Sequence, residues 1–558
     1  MRGATVKALL TAAAIAAVLA QSGGISAMEE KKTAEERLAV YAPVEISVPW
    51  HLLDENETLA LEKVYRAAEV MDELFLRQVW SGNVRMAEKI EELGDPALMR
   101  LFRINFGPWD RIEENEPFVG EIPKPAGAEF YPHDMTREEF EKHLQANPGA
   151  REAFESEYTV IRRSATGDLA AIPYSTWHRP LLELAAGYLE EAAALTSNES
   201  LAAFLKARAE AFLSNDYFES DMAWMDVTGN VIDVTIGPYE VYEDNLFNYK
   251  AAFEAFVCIR DPEESRRLDG LKGYLLKLED NLPIPDEHKS LDRGTESPIS
   301  VVDEVFSAGD TKAGVQTLAF NLPNDRRVHE AKGSKKVMLR NIIRAKFDKI
   351  LIPIAERVIV EGQLAHVKFD AYYNHILLHE FSHGLGPGVI TLADGTETTA
   401  RKALREVHSA IEEAKADIVG NHNIYYLVDE GFFGENLEKE AAVTFLAGFF
   451  RSVRFGAESA HGRANMVIFN YMKERGVYRR DQETGRWSVD FDGVRKAVED
   501  LSAKILMIQA EGDYDAAVAL LEQYGVMGED VRESLAALEG VPVDIYPIFE
   551  IQEAYAAE

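Results

Sequence analysis

At 558 residues the chain is too long for one hydrophobic core, so two to four domains or a pair of large lobes is expected. Its 95 acidic and 59 basic residues give a formal net charge of −36, a field that repels nucleic acid and anionic membrane surfaces and leaves cations as the natural ligands. A hydrophobic fraction of 47% excludes a disordered chain, and a single cysteine, Cys258, excludes both an internal disulfide and a cysteine-rich zinc module.

The chain begins "MRGATVKALLTAAAIAAVLAQSGGISAMEEKK". Arg2 and Lys7 precede an apolar run over residues 8–20, and Ser26-Ala27 offers small residues for cleavage. This pattern predicts a signal peptide over 1–27 and a periplasmic or secreted protein, or a cytoplasmic one if translation starts at Met28. No other run approaches the ~18 apolar residues of a membrane span, so no membrane anchor is expected.

Residues 33–112 and 134–215 carry apolar residues at three- and four-residue intervals and read as helices, separated by the Pro- and Gly-rich loop "GEIPKPAGAEFYP". Over 222–242, "MAWMDVTGNVIDVTIGPYEVY" turns to short β-branched runs with a turn at 228–230, and strands are expected. Cys258 falls in "KAAFEAFVCIRDP", which reads as an apolar helical stretch, and is expected to be a buried thiol. Strand-like or irregular chain follows through "NLPNDRRVHE", and helical periodicity resumes near residue 335 and runs to about 540.

Within that second helical region "HILLHEFSHGLGPG" contains His379-Glu380-x-x-His383. Four residues of separation put both imidazoles on one helix face a turn apart, able to occupy neighbouring corners of a zinc tetrahedron. Glu380 follows the first histidine and is placed to act as general base on water. The glycines and proline after His383 end the helix. His375 shares the face of His379, but Ile376 would then sit where the base belongs, so His375 reads as a supporting or structural residue.

A catalytic zinc needs a third protein ligand and an open position. The following segment, "ALREVHSAIEEAKADIVGNHNIYYLV", reads as an amphipathic helix bearing Glu412, Glu413 and Asp417. Glu413 and Asp417 share a face, so one carboxylate can bind metal while the other accepts an imidazole N–H and fixes its tautomer. Alone, the segment reads better as an exposed acidic helix with ordinary Glu–Lys pairing. Downstream of the histidine pair, the ligand reading is the stronger.

Three blocks together resemble the dipeptidyl-peptidase III family of zinc exopeptidases: "HEFSHG…IEEAKAD", "NLPND" over Asn321–Asp325, and "AHGRANMVIFNYM" with His461. The resemblance extends over about residues 220–480. It implies one Zn2+ per chain held by His379, His383 and Glu413, with Glu380 as base and proton shuttle. His461 would stabilise the tetrahedral intermediate, and Glu412 and Asp417 would support the ligand histidines. Asn321 and Asn324 would hold the peptide main chain, and Asp233 would lie near the substrate's free amine. Two departures stand out beside the shorter, five-residue histidine motif that some bacterial relatives share. The family's oxyanion-stabilising tyrosine falls near Thr235, leaving Tyr239 and Tyr242 as candidates, and Asn465 replaces an expected arginine.

The family further implies an α+β, mostly helical fold of two lobes around a wide cleft. Residues 28–260 and 301–350 would form a peptide-binding lobe with a small β-barrel-like core, and 261–300 and 351–558 the helical zinc lobe. The expected activity is release of dipeptides from the free N-terminus of oligopeptides by a monomer. A zinc endopeptidase, a zinc hydrolase of a non-peptide substrate and a non-catalytic peptide-binding protein are the alternatives. The last would lack a ligand or the base, and all four residues are present.

Overall fold

A computed structural model describes residues 32–291, 299–457 and 459–556. The expected signal peptide lies outside the described residues. The fold is mostly helical with small sheets and is arranged in two lobes, as expected.

The β-containing lobe is built on five strands: β1 (Ile232–Glu240), β2 (Ala252–Arg260), β3 (Ile299–Gly309), β4 (Ala319–Leu322) and β5 (Lys335–Leu339). Their spatial order is β1-β2-β3-β5-β4, antiparallel except for the parallel β3–β5 pair. The expected barrel-like core is thus an open mixed sheet: among the described residues no pairing joins β1 to β4. β1 and β2 are buried along nearly their whole length, so both faces of the sheet are covered and the sequence shows a continuous apolar run instead of alternation. One cover is α1 (Glu55–Val79), which lays Leu61, Val64, Ala68, Met71 and Phe75 across β2 and β3. Asp54 caps it by accepting from the Glu57 N–H. At the end of β3, Gly309 has φ +72°, and a Cβ there would meet the Phe253 carbonyl of β2 at 2.1 Å, so only glycine fits.

The metal-helix lobe contains α2 (Phe369–His383), α3 (His408–Asp429), α4 (Leu437–Ser452), α5 (Ala460–Glu474) and α6 (Phe491–Glu511). α3 packs on α2, α5 and α6. It is not the half-exposed amphipathic helix its sequence suggests, because Ala410 to Asn421 is buried on nearly every side, Lys415 and Asp417 included. A parallel pairing of Tyr41–Ile46 with Asp544–Phe549 joins the two ends of the described chain. Glu550 then accepts from the Val48 N–H and the Trp50 indole.

Some local expectations differ from the fold. Residues Phe218–Met225 are helical, with Trp224 buried against β1, and the strand begins only at Ile232. A hairpin of Thr159–Arg163 and Leu169–Pro173 interrupts the stretch read as wholly helical. Cys258 is buried, as expected, but on strand β2 and not on a helix: the run is apolar because both faces of the sheet are covered, and burial pushes its thiol well above the ordinary range.

Candidate active site

The site begins with a close approach of two helices. Gly420 of α3 lies against the backbone of α2, where a Cβ would sit 3.1 Å from the His379 nitrogen. That contact lets Glu412, Glu413 and Asp417, one to two turns earlier on α3, reach the histidines of α2. His379 Nε2 and His383 Nε2 are 3.1 Å apart, and Glu413 Oε2 lies 3.4 Å and 3.7 Å from them. A tetrahedral ion with bonds of about 2.0–2.1 Å separates neighbouring donors by roughly 3.3 Å, so the three atoms match one face of such a tetrahedron. Glu413 Oε2 is buried yet accepts no hydrogen bond, the signature of an atom whose partner is a cation.

The other imidazole nitrogens are fully engaged. His379 Nδ1 meets Asp417 Oδ1 at 2.8 Å, and His383 Nδ1 meets Glu412 Oε1 at 2.9 Å. Each carboxylate accepts the Nδ1–H, which leaves both Nε2 lone pairs facing Glu413. The carboxylates are held in turn. Asp417 Oδ2 accepts from Asn465, and Glu412 accepts from Gln509 and pairs with Lys415. Burial alone would push Asp417 up, but the charge and hydrogen bonds of His379 and His375 hold it far below the carboxylate range. Burial would lower His379, yet without a metal Asp417 raises it to about 9. His375 takes the supporting place read from the sequence, 3.3 Å from Asp417 and against Phe445.

Glu380 points toward the cleft beside the histidines. Burial would raise its pKa, but the ammonium of Lys336 at 3.2 Å and the two imidazoles hold it below the usual value, so the carboxylate stays ionised and able to accept a proton. His461, in the first turn of α5, brings Nδ1 to 3.2 Å from Glu413 Oε2 while most of its ring stays exposed. A cleft of about 480 Å³ opens here, lined by Val315 to Ala319 on one side and by His379, Glu380 and His461 on the other. A larger groove of about 620 Å³ lies along α1 and the C-terminal strand. Of its carboxylates, Glu69, Asp72 and Glu73 are paired with Arg66, Lys312 and Arg77, and among the described residues no histidine lines the groove, whereas the His379–His383–Glu413 cluster lies at the smaller cleft.

The pattern of peptidase family M49 matches residues 150–403. DPP III from Caldithrix abyssi superposes with a TM-score of 0.91 at 54% identity, over 93% of this chain and 99% of that one. Dipeptidyl-peptidase III from Corallococcus sp. strain EGB gives 0.79 at 41% identity, over 94% and 99%. The chain belongs to peptidase family M49. It is a peptide-bond hydrolase of the dipeptidyl-peptidase III type. A protein of Arabidopsis thaliana named Nudix hydrolase 3 is 38% identical over 93% of this chain and 74% of its own length.

The peptidase's other candidate residues divide. Asn321 is exposed on the outer strand β4, opposite Lys336 of β5, whose ammonium reaches the Glu380 carbonyl. Asn324 lies just beyond it and donates to the Tyr239 carbonyl at 2.9 Å, next to Glu240. Asp233 does not join them. It is 4% exposed, bound to Arg260 at 2.8 Å, and sits at the opposite end of β1 from Glu240, roughly 20 Å away along the strand. The carboxylate that accompanies the asparagines is Glu240, which no Lys or Arg pairs among the described residues. Of the candidate tyrosines, Tyr239 is buried with its hydroxyl on the Ile236 carbonyl, whereas Tyr242 is 74% exposed. Thr235 is buried and faces no solvent. Glu240 and Tyr242 both lie in "PYEVYEDN", seven and nine residues after Asp233, and no local spacing separates the paired carboxylate from the unpaired one.

Proposed function

We propose that this M49 peptidase binds one Zn2+ through His379, His383 and Glu413 and releases dipeptides from the free N-terminus of oligopeptides. The observation that carries it is the convergence of two Nε2 atoms and an unsatisfied carboxylate oxygen at tetrahedral spacing, beside an ionised glutamate in an open cleft. A zinc ion held there supplies Lewis acidity toward the scissile carbonyl and makes water nucleophilic near neutral pH.

The chain's own groups do the rest. Glu380 removes the proton from the attacking water and delivers it to the leaving amine. His461 faces the cleft beside Glu413 and donates a hydrogen bond to the oxygen on which charge develops. The exposed edge of β4 gives an extended peptide a row of backbone partners, with Asn321 and Asn324 gripping its main chain. Glu240, half-buried and unpaired with any cation, receives the terminal ammonium. The fixed separation of Glu240 from the zinc then selects the second peptide bond. The test is a panel of dipeptidyl-naphthylamides and their N-acetylated forms, read with zinc content. Cleavage of the free amines alone is expected; equal cleavage of acetylated peptides would make the chain an endopeptidase.

A further inference from the structure

The carbonyls at the C-terminal end of α2 have no amide partners within the helix. Lys415 of α3 serves Ser382, His383 and Leu385, at 2.8, 3.2 and 3.1 Å. The Glu380 carbonyl does not receive the Gly384 N–H, which turns to Phe381 instead. It is served from outside the lobe. Lys336 of β5 extends its ammonium across to donate to Glu380 O at 2.6 Å, and the same nitrogen lies 3.2 Å from Glu380 Oε2. One charged group thus grips both the backbone and the carboxylate of a single residue, which fixes the side-chain torsions of that residue far better than an ion pair to the carboxylate alone. No other side chain of the described residues donates to the Glu380 carboxylate.

The origin of this grip matters. Lys336 pairs in antiparallel register with Asn321, so both side chains leave the same face of the sheet. Asn321 belongs to β4, whose outer edge is open. Anything that adds a strand to β4 steadies β4 and β5 together, and through Lys336 the end of the helix that carries the base.

We propose that Lys336 is a positioning residue that couples occupancy of the β4 edge to the orientation of Glu380. The base is aligned by the sheet that holds the peptide, not by the metal helices alone. This inference rests on the reading that peptides dock on β4, and the two can fail separately.

The test uses the zinc-loaded enzyme with Lys336→Met, which removes the donor but keeps an apolar stem, and Lys336→Arg, which keeps charge and donors. Misplacing a catalytic group by about an ångström costs up to ~100-fold, so Lys336→Met should lower kcat about 30-fold while KM moves less than about threefold. Zinc content should be unchanged, and Lys336→Arg should recover about tenfold of the loss. Amide exchange supplies a readout independent of turnover, with tetra-alanine carrying a reduced second amide as the probe. In the native enzyme the probe should slow exchange both in Ala319–Leu322 and over residues 381–385. In Lys336→Met the first protection should persist and the second vanish. Protection over 381–385 that survives in Lys336→Met, or a kcat within about twofold of native, would overturn the coupling alone. An unprotected β4 in the native enzyme would overturn the docking reading and the coupling with it.

Discussion

The two sides of the cleft are built on opposite principles. On the α2–α3 side every ligand imidazole already has its acceptor, each acceptor has its own donor, and the helices are locked by the approach at Gly420. On the β4 side, among the described residues, the strand edge is unpaired, Asn321 is exposed, and Glu240 has no cationic partner. The metal side spends its hydrogen bonds on itself and is complete before substrate arrives. The peptide side withholds them, so that substrate supplies what is missing.

Breaking the pre-built side should have the larger consequences. Glu380→Ala leaves the ligand set intact, so zinc should remain bound while kcat falls by roughly 10²–10⁴-fold, measured by steady-state turnover beside metal analysis. Asp417→Ala frees the His379 ring and should weaken zinc affinity by about 10–100-fold, read by competition with a chelator. Undisturbed affinity would show that the helices, not the carboxylate, hold the imidazole. On the open side the losses should be milder and confined to binding. Glu240→Gln should raise KM about tenfold for free-amine substrates, as expected when an attraction common to ground and transition states is removed, with kcat nearly constant. A fall in kcat at constant KM would instead place Glu240 in the chemistry.

The effect expected to be smallest on turnover lies in the sheet itself and concerns stability. Burial on β3 pushes Glu304 up from 4.5 to about 7. Below 4.5 folded and unfolded chains both carry this proton, and between 4.5 and about 7 only the folded chain does. Its contribution to stability is therefore present in acid and lost as pH rises through that window, with a slope of at most about 1.4 kcal/mol per pH unit. Denaturant titrations of Glu304→Gln against native protein at several pH values should show that slope disappear.

The same contrast explains what could be read in advance. His379, Glu380 and His383 are fixed by helical spacing, a local property, and Glu413 and Asp417 by the same period on a second helix. Local geometry survives translation into sequence. The substrate side depends on which strands neighbour which, and that is not local. Asp233 and Glu240 are both acidic residues on β1, and only the placement of Asn324 against Tyr239 distinguishes the free carboxylate from the one spent on Arg260. Lys336 carries no motif at all; its importance comes from β5 lying inside β4, a crossing that no spacing announces. The open sheet likewise differs from the expected barrel because closure is decided by strand order, which the β-branched texture of 222–242 does not encode.

The solitary, inaccessible thiol of Cys258 has a practical consequence. A label that reacts with cysteine finds nothing on the native surface, so a pair of reporters introduced on β4 and α5 would be attached without background. Distances between them under successive ligands would then record how far apart the two walls stand while the enzyme works.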